Sequence, residues 1–186
     1  MQLEASVFLH LCQQTGDLIF FDIESTNLKG DYGAIICVSF KPFGQKPFTI
    51  VAEGPGNDRK LCRQVKQILE NHWCWCSYYG TGFDIKMINT RLIRWGMRPV
   101  EKRPHLDLWK IVRFQMNTAR KSQAHVLGWL GTPEQKMSVS ANDWATIASN
   151  WDGRAMRTMI RRCESDTIGL EALYKKIKNL VVNVTR

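Results

Sequence analysis

Apolar runs separated by turn residues divide the first third of the chain into three predicted strands. Residues 17–24 are apolar and β-prone, and they lie between Gly16 and the polar residues 25–27. Residues 33–41 and 46–52 repeat this pattern after short turns. The close spacing predicts an antiparallel meander of three strands.

Strands and helices alternate after the meander. Residues 61–69 carry apolar side chains at helical spacing, and Asn57 or Asp58 can cap the helix that they predict. A strand over residues 73–79 then leads through a glycine-rich turn to a helix that begins near Asp84. This order of elements makes the later strands parallel to the first.

The remaining pattern completes an α/β fold. Residues 105–112 predict a short strand followed by a helix, with further helical pieces around 122–130 and 142–149. The clearest helix runs from Gly153 to about Leu180. We therefore predict a mixed sheet, with three antiparallel strands first and parallel strands after them, flanked by helices.

Size and composition indicate one globular domain spanning residues 1–186. A chain of 186 residues suits a single core, and 44% hydrophobic with 23% charged residues excludes a disordered protein. The longest apolar stretches fall well short of the ~20 residues that span a bilayer. Residues 1–17 lack a basic segment ahead of an apolar run, so we expect no secretory signal.

The six cysteines favour a reducing compartment. Several lie on predicted apolar faces, where a free thiol behaves as a small hydrophobic group, and we expect a protein of the cytoplasm of a prokaryotic or virus-infected cell. His72, Cys74 and Cys76 suggest zinc, but no second ligand pair lies at a suitable spacing, so we favour a strand lined by thiols.

The net charge of +9 suggests a polyanionic partner. Basic residues are concentrated between Arg91 and Lys121, and a second group lies between Arg154 and Arg162. A nucleic-acid backbone is the first candidate partner. A solvated surface that only improves solubility explains the charge equally well.

Two carboxylates lie at the end of the first predicted strand, where apolar residues are expected. Asp22 and Glu24 are two residues apart, so both side chains project from one face of the strand. Neighbouring carboxylates repel each other unless a proton or a cation intervenes. The alternative is a polar strand end beside a turn, but the surrounding strand is apolar on both faces, which favours a functional pair.

A third carboxylate interrupts the apolar stripe of the last helix. Asp166 falls in the row of positions 159, 163, 166, 170, 173 and 177. A buried carboxylate needs a partner. Arg162, four residues earlier, could form a salt bridge with it. Alternatively, Asp166 faces Asp22 and Glu24 and shares a cation with them.

Two further acids begin helices. Capping is the ordinary role of an Asp at the start of a helix, and we favour it for Asp107.

Taken together, Asp22, Glu24, Asp84 and Asp166 could form an all-oxygen site for two Mg²⁺ or Mn²⁺ ions. A pair of such ions can catalyse the hydrolysis of a phosphodiester bond.

Three ordered motifs resemble those of the DEDD group of 3′–5′ exonucleases. Residues 20–40 (FFDIESTNLKGDYGAIICVSF) resemble the first motif, residues 77–88 (SYYGTGFDIKMI) the second, with Tyr79 in place of the usual Asn, and residues 162–174 (RCESDTIGLEALY) the third. Residues 121–137 are similar to a segment in relatives of the family B polymerase proofreading domain. The likeness extends over about residues 17–176.

The resemblance implies an RNase H-like fold and a ligand set for two divalent ions. Asp22, Glu24 and Asp166 would hold the first ion, with Asp22 bridging to a second to which Asp84 contributes. By the same resemblance, Ser25, Thr26 and Leu28 would lie beside the terminal nucleotide of the substrate.

One departure concerns the residue that orients the attacking water. The family places a Tyr four residues before the last Asp or a His five before it, where this chain has Arg162 and Arg161. Arginine stays protonated and cannot act as a base. The metals alone could activate the water while Arg162 binds the phosphate or Asp166, another residue could substitute, or the site could be inactive. The presence of all four acids favours activity.

We therefore expect a two-metal 3′–5′ exonuclease acting on single-stranded ends of DNA or RNA, with DNA favoured and with no membrane association. Whether replication or repair proteins are partners stays open. Two alternatives are a structure-specific endonuclease on the same fold and a catalytically impaired, basic nucleic-acid-binding module.

Overall fold

A five-stranded mixed sheet forms the centre of the protein. The computed structural model describes residues 5–133, 146–147, 151 and 153–181. Its strands are β1 (Leu18–Ser25), β2 (Ile35–Pro42), β3 (Phe48–Val51), β4 (Cys74–Ser77) and β5 (His105–Asp107). They lie side by side in the order β3-β2-β1-β4-β5.

The strand directions confirm the predicted fold class. β1, β2 and β3 form an antiparallel meander, whereas β4 is parallel to both β1 and β5. The register aligns Phe20 of β1 with Cys76 of β4, and β4 ends one residue later while β1 continues to Ser25. The last residues of β1 therefore extend beyond β4.

Helices cover both faces of the sheet. They are α1 (Ala5–Gln14), α2 (Arg59–Glu70), α3 (Asp84–Arg94), α4 (Leu108–Gln115), α5 (Gln123–Trp129) and α6 (Gly153–Ile177), and a 3₁₀ turn, Lys178–Leu180, follows α6. Helix α1 was not predicted from the sequence. Of the helical piece predicted around residues 142–149, residues 146 and 147 are helical and the others lie outside the described residues.

Alternating side chains of β1 separate two apolar cores. Leu18 and Phe20 point toward one core, which they share with Tyr174 of α6. Ile19 and Phe21 point toward the other core, which contains Leu61 of α2. Because side chains alternate along a strand, the even positions of β1 all face the layer that contains α6.

The cysteines were predicted to be free thiols on apolar faces of strands and helices. All six are buried free thiols. Among the described residues, no helix combines the length and the apolar character that crossing a membrane requires.

The side chain of Asp58, one of the two residues that could cap α2, has another role. Asp58 occupies the cap position, but its carboxylate makes no capping hydrogen bond. It instead accepts bonds from Arg91 Nε at 2.8 Å and Nη2 at 2.9 Å, from the Ile35 backbone N–H at 2.9 Å and from Trp95 Nε1 at 2.7 Å. Burial alone would raise the pKa of Asp58, but these donors hold it below its usual value.

Candidate functional site

Three carboxylates from distant parts of the chain meet on one side of the sheet. One oxygen from each of Asp22, Glu24 and Asp166 lies within 4.8 Å of the other two. Glu24 and Asp166 are buried, and Asp22 is partly exposed. The convergence of Asp166 with the β1 pair, which the sequence left open, is thus observed.

The packing of α6 on β1 brings the acids together. Asp22 and Glu24 continue the even positions of β1, which face α6. Sγ of Cys163 lies 3.3 Å from the backbone oxygen of Asp22 and 3.6 Å from its Oδ2. From α5, the side-chain amide of Gln123 donates to the backbone oxygen of Asp166 at 2.9 Å. Two neighbouring elements therefore fix the acid-bearing turn of α6.

The guanidinium of Arg162 lies among these carboxylates. Its Nε is 2.9 Å from Glu24 Oε1 and 3.9 Å from Asp166 Oδ2. Asp166 therefore forms the ion pair with Arg162 and also faces the β1 pair, as a shared cation would require. Arg161, one residue earlier, is exposed.

The donor set suits a hard divalent cation. Three carboxylates against one guanidinium leave an excess of negative charge, and carboxylate oxygens are ligands that Mg²⁺ and Mn²⁺ prefer. Within the described part of the chain, His72, Cys74 and Cys76 do not form a comparable ligand group. The zinc alternative therefore gains no support.

Asp84 is buried near Glu24 but is not one of the three converging acids. It is the first residue of α3 and is 4% exposed. Burial raises its pKa to about 7, and the neighbouring Asp107 and Glu24 carboxylates add to this, whereas hydrogen bonds with the backbone of Asp84 and Ile23 oppose it. The structure thus places Asp84 against the part of β1 that carries the acid pair.

Asp107 has the capping role that the sequence favoured. Its carboxylate accepts a bond from the Trp109 N–H at the start of α4 at 3.2 Å. It also accepts bonds from the N–H groups of Tyr79 at 2.8 Å and Thr81 at 3.1 Å, and from the Thr81 hydroxyl at 2.6 Å. One buried acid therefore holds the turn between β4 and α3 against the start of α4.

The residues predicted to lie beside a terminal nucleotide are in the connection after β1. The Ser25 hydroxyl donates to the Asn27 carbonyl at 2.8 Å, and Thr26 Oγ1 accepts from the Ala34 N–H at 3.0 Å. These two hydroxyls shape the loop itself. The Leu28 side chain is 78% exposed.

A cleft of about 520 Å³ opens beside Asp22. Sequence reasoning did not assign a role to most of its walls, which come from the β4–α3 turn, from α4 and from the start of α5. The lining residues are Asp22, Tyr78, Tyr79, Trp109, Lys121, Ser122 and Gln123. The aromatic spacing alone could not identify the cleft, because Tyr79 and Trp109 lie on different elements.

Comparisons with known proteins agree with the fold. A model of the RNase H superfamily matches residues 19–178. The chain is 26% identical over 191 residues to a DNA polymerase III PolC-type from Ureaplasma parvum serovar 3, a match that covers 89% of this chain and 12% of the relative. The family B DNA polymerase from the hyperthermophilic archaeon Pyrobaculum calidifontis has a similar structure, with a TM-score of 0.69 and 19% identity over 87% of this chain and 24% of that one. The chain thus spans a small part of each polymerase.

Proposed function

Since this chain belongs to the RNase H superfamily, we propose that it is a metal-dependent 3′–5′ exonuclease. It would hydrolyse phosphodiester bonds at single-stranded ends, with DNA preferred over RNA, and release nucleoside monophosphates. The observation that supports this most is the convergence of Asp22, Glu24 and Asp166 from β1 and α6. Superfamily membership agrees with the resemblance that the sequence motifs indicate.

The proposed ligands divide between two divalent ions. Asp22, Glu24 and Asp166 would hold the first ion, and Asp22 with Asp84 the second. When bound, such ions activate a water molecule and stabilise the leaving oxygen of the phosphodiester. The partial exposure of Asp22, beside the cleft, leaves this part of the site open to a substrate.

Arg162 serves as a charge partner in this proposal. Arginine stays protonated near neutral pH, so it cannot accept the proton of the attacking water. Its contact with Glu24 neutralises part of the acidic cluster. Once a cation binds Glu24, the guanidinium would be available to a phosphate oxygen, a geometry that planar guanidinium groups suit.

A cleavage assay tests the proposal. A 5′-labelled single-stranded oligonucleotide with Mg²⁺ or Mn²⁺ should give a ladder of 3′-shortened products, and Asp22→Ala should abolish it. Asp31→Ala, which removes an exposed acid from the loop after β1, is the matched control and should cleave normally. Absence of cleavage of both DNA and RNA with either ion would contradict the proposal, and cutting of a closed single-stranded circle would indicate an endonuclease.

The Arg162–Glu24 contact also supports a second candidate, a binding module without activity. A guanidinium can hold the carboxylates together when no metal binds. In that case nucleic-acid binding would be salt-sensitive, unaffected by EDTA and unaffected by Asp22→Ala.

A further inference from the structure

Three aromatic side chains form a continuous row that begins at the wall of the cleft. We call Tyr79, Trp109 and Phe114 the aromatic track. The ring centroids of Tyr79 and Trp109 are 4.9 Å apart, and those of Trp109 and Phe114 are 6.5 Å apart. Tyr79 and Trp109 line the same cleft as Asp22, so the track starts beside the acidic cluster.

The two ends of the track are exposed although both side chains are large and aromatic, and Trp109 between them is partly buried. Tyr79 is 48% exposed and Phe114 is 71% exposed. Phe114 lies on the outer side of α4, where packing against the core does not require an aromatic residue. Exposed aromatic rings at both ends of a row that lines a cleft mark a candidate interaction site.

Tyr79 is held in a conformation that its side chain does not favour. Its φ is +65°, in the left-handed region that residues other than glycine adopt rarely. Its N–H donates to the buried carboxylate of Asp107. A Cβ at Gly82 would lie 2.5 Å from the Tyr79 ring, so the ring lies directly over a position that only glycine leaves open. The turn thus holds the backbone of Tyr79, whose ring lines the cleft.

Positive charge accompanies the track. Helix α4 places Lys110 and Arg113 between Trp109 and Phe114 and carries no acidic residue. Lys121 lines the cleft with Trp109. Aromatic rings beside cationic groups suit a single-stranded nucleic acid, because bases stack on the rings while phosphates meet the cations.

We propose that the aromatic track binds the bases of a single strand, with Lys110 and Arg113 at its phosphates. The inference rests on the proposed function and adds how the strand reaches the acidic cluster. Base stacking is tolerant of sequence, since every base has an aromatic face. The track therefore selects for unpaired bases, because a duplex keeps its bases stacked on each other.

Binding measured in EDTA tests the track without cleavage. The probe is a fluorescein-labelled oligodeoxythymidylate, compared with the same strand carrying abasic residues at its three 3′-terminal positions. Wild-type protein should bind the intact strand roughly tenfold more tightly than the abasic strand. Trp109→Ala should weaken binding to the intact strand by a similar factor and leave binding to the abasic strand unchanged.

Trp73→Ala is the matched control. Trp73 is a 52%-exposed tryptophan with Arg103 at 5.6 Å from its ring, and it lies directly before β4, whereas the cleft is lined by the turn after β4. Its removal should leave both affinities unchanged. Should Trp109→Ala fail to fold, Phe114→Ala decides the question, because truncating such an exposed ring cannot disrupt the core.

Two results would contradict the proposal that the aromatic track binds bases. One is equal affinity of the wild-type protein for the intact and abasic strands. The other is self-association that Phe114→Ala abolishes without any change in strand binding, which would assign the aromatic surface to a second copy of the chain. Failure of the nuclease proposal can be distinguished from failure of the track proposal, because it would appear as intact strands after incubation with Mg²⁺ or Mn²⁺.

Discussion

At the scale of single residues, the guanidinium of Arg162 provides the positive charge that partly balances the acidic cluster. Arg162 is 18% exposed and its Nε contacts the 7%-exposed Glu24. A charge so placed partly neutralises the carboxylates and competes for Glu24 with any other cation. The position at which the DEDD group, which the sequence motifs resemble, has a tyrosine thus holds a cation in this protein.

Replacing Arg162 should strengthen metal binding. Arg162→Gln removes a positive charge about 3 Å from a ligand oxygen, which at an effective dielectric constant of ~20 corresponds to several kcal/mol of repulsion toward a bound cation. We expect the dissociation constant for Mn²⁺, measured by calorimetry, to fall at least roughly tenfold. The neighbouring exposed Arg161→Gln should leave it unchanged. Unchanged or weaker Mn²⁺ binding by Arg162→Gln would show that the guanidinium does not oppose the ion.

Asp84 should make stability depend on pH in metal-free buffer. Because burial raises its pKa to about 7, the folded protein holds this proton more tightly than the unfolded chain does. Its contribution to stability is therefore complete below the unfolded pKa near 4 and is lost as pH rises toward 7. The Asp84→Asn variant has no carboxyl group at this position, so it should not lose this stability as the pH rises.

The measurement for Asp84 is urea denaturation in EDTA between pH 4 and pH 8. The free energy of unfolding of Asp84→Asn relative to wild type should rise with pH up to about 7 and then level off. Each unit between the folded and unfolded pKa values corresponds to about 1.4 kcal/mol. A difference that does not vary with pH would contradict the burial of an ionisable Asp84.

Among the elements, α2 and α3 are joined to the start of β2 through one carboxylate. Asp58, at the start of α2, accepts bonds from Arg91 of α3 and from the Ile35 N–H of β2. Arg91 also donates to the Gly30 carbonyl at 3.2 Å, in the loop that follows the acid pair. These bonds position the connection that contains Ser25, Thr26 and Leu28.

Removing this carboxylate should destabilise the protein strongly. Asp58→Ala leaves the buried Arg91 without its ion-pair partner, and breaking such pairs costs about 3–5 kcal/mol. The control is Lys60→Ala, which breaks the exposed ion pair with Glu53 and should cost no more than about 1 kcal/mol. Urea denaturation of the two variants should show this contrast. Equal losses would mean that the Asp58 cluster does not anchor the helices.

The same elements show what sequence could predict. Local periodicity identified the face shared by Asp22 and Glu24 and the place of Asp166 in the stripe of α6. The role of Asp58 could not be predicted, because its partners lie 23 to 37 residues away and no local pattern connects them. The aromatic track was missed for the same reason, since it depends on where two separate elements meet.

At the scale of the whole molecule, a small acidic site lies in a protein with a net positive charge. The formal charge is +9, although Asp22, Glu24 and Asp166 concentrate carboxylates at one point. In the proposed function, the net positive charge would attract the phosphates of a nucleic acid, whereas the acids would attract a divalent ion. Different residues would thus provide the long-range attraction and the local metal binding.

Salt should therefore weaken binding of a single strand independently of metal. With the fluorescein-labelled strand in EDTA, the logarithm of the association constant should fall linearly with the logarithm of salt concentration, with a slope of about −0.7 for each phosphate contacted. Trp109→Ala should shift this line without changing its slope, because stacking releases no counterions. An affinity insensitive to salt would argue against phosphate contacts.

The unequal lengths of β1 and β4 have a geometric consequence. β4 ends one residue after the point where Cys76 aligns with Phe20, so in the described part of the chain no strand continues beside Asp22 and Glu24 on that side. At this notch, the Asp84 carboxylate bonds to the backbone of Ile23 in β1, and the turn after β4 carries Tyr79. A β4 lengthened by two or three residues would fill this notch with main chain and close off the acids, so the early end of β4 leaves the room that the proposed cleavage would require.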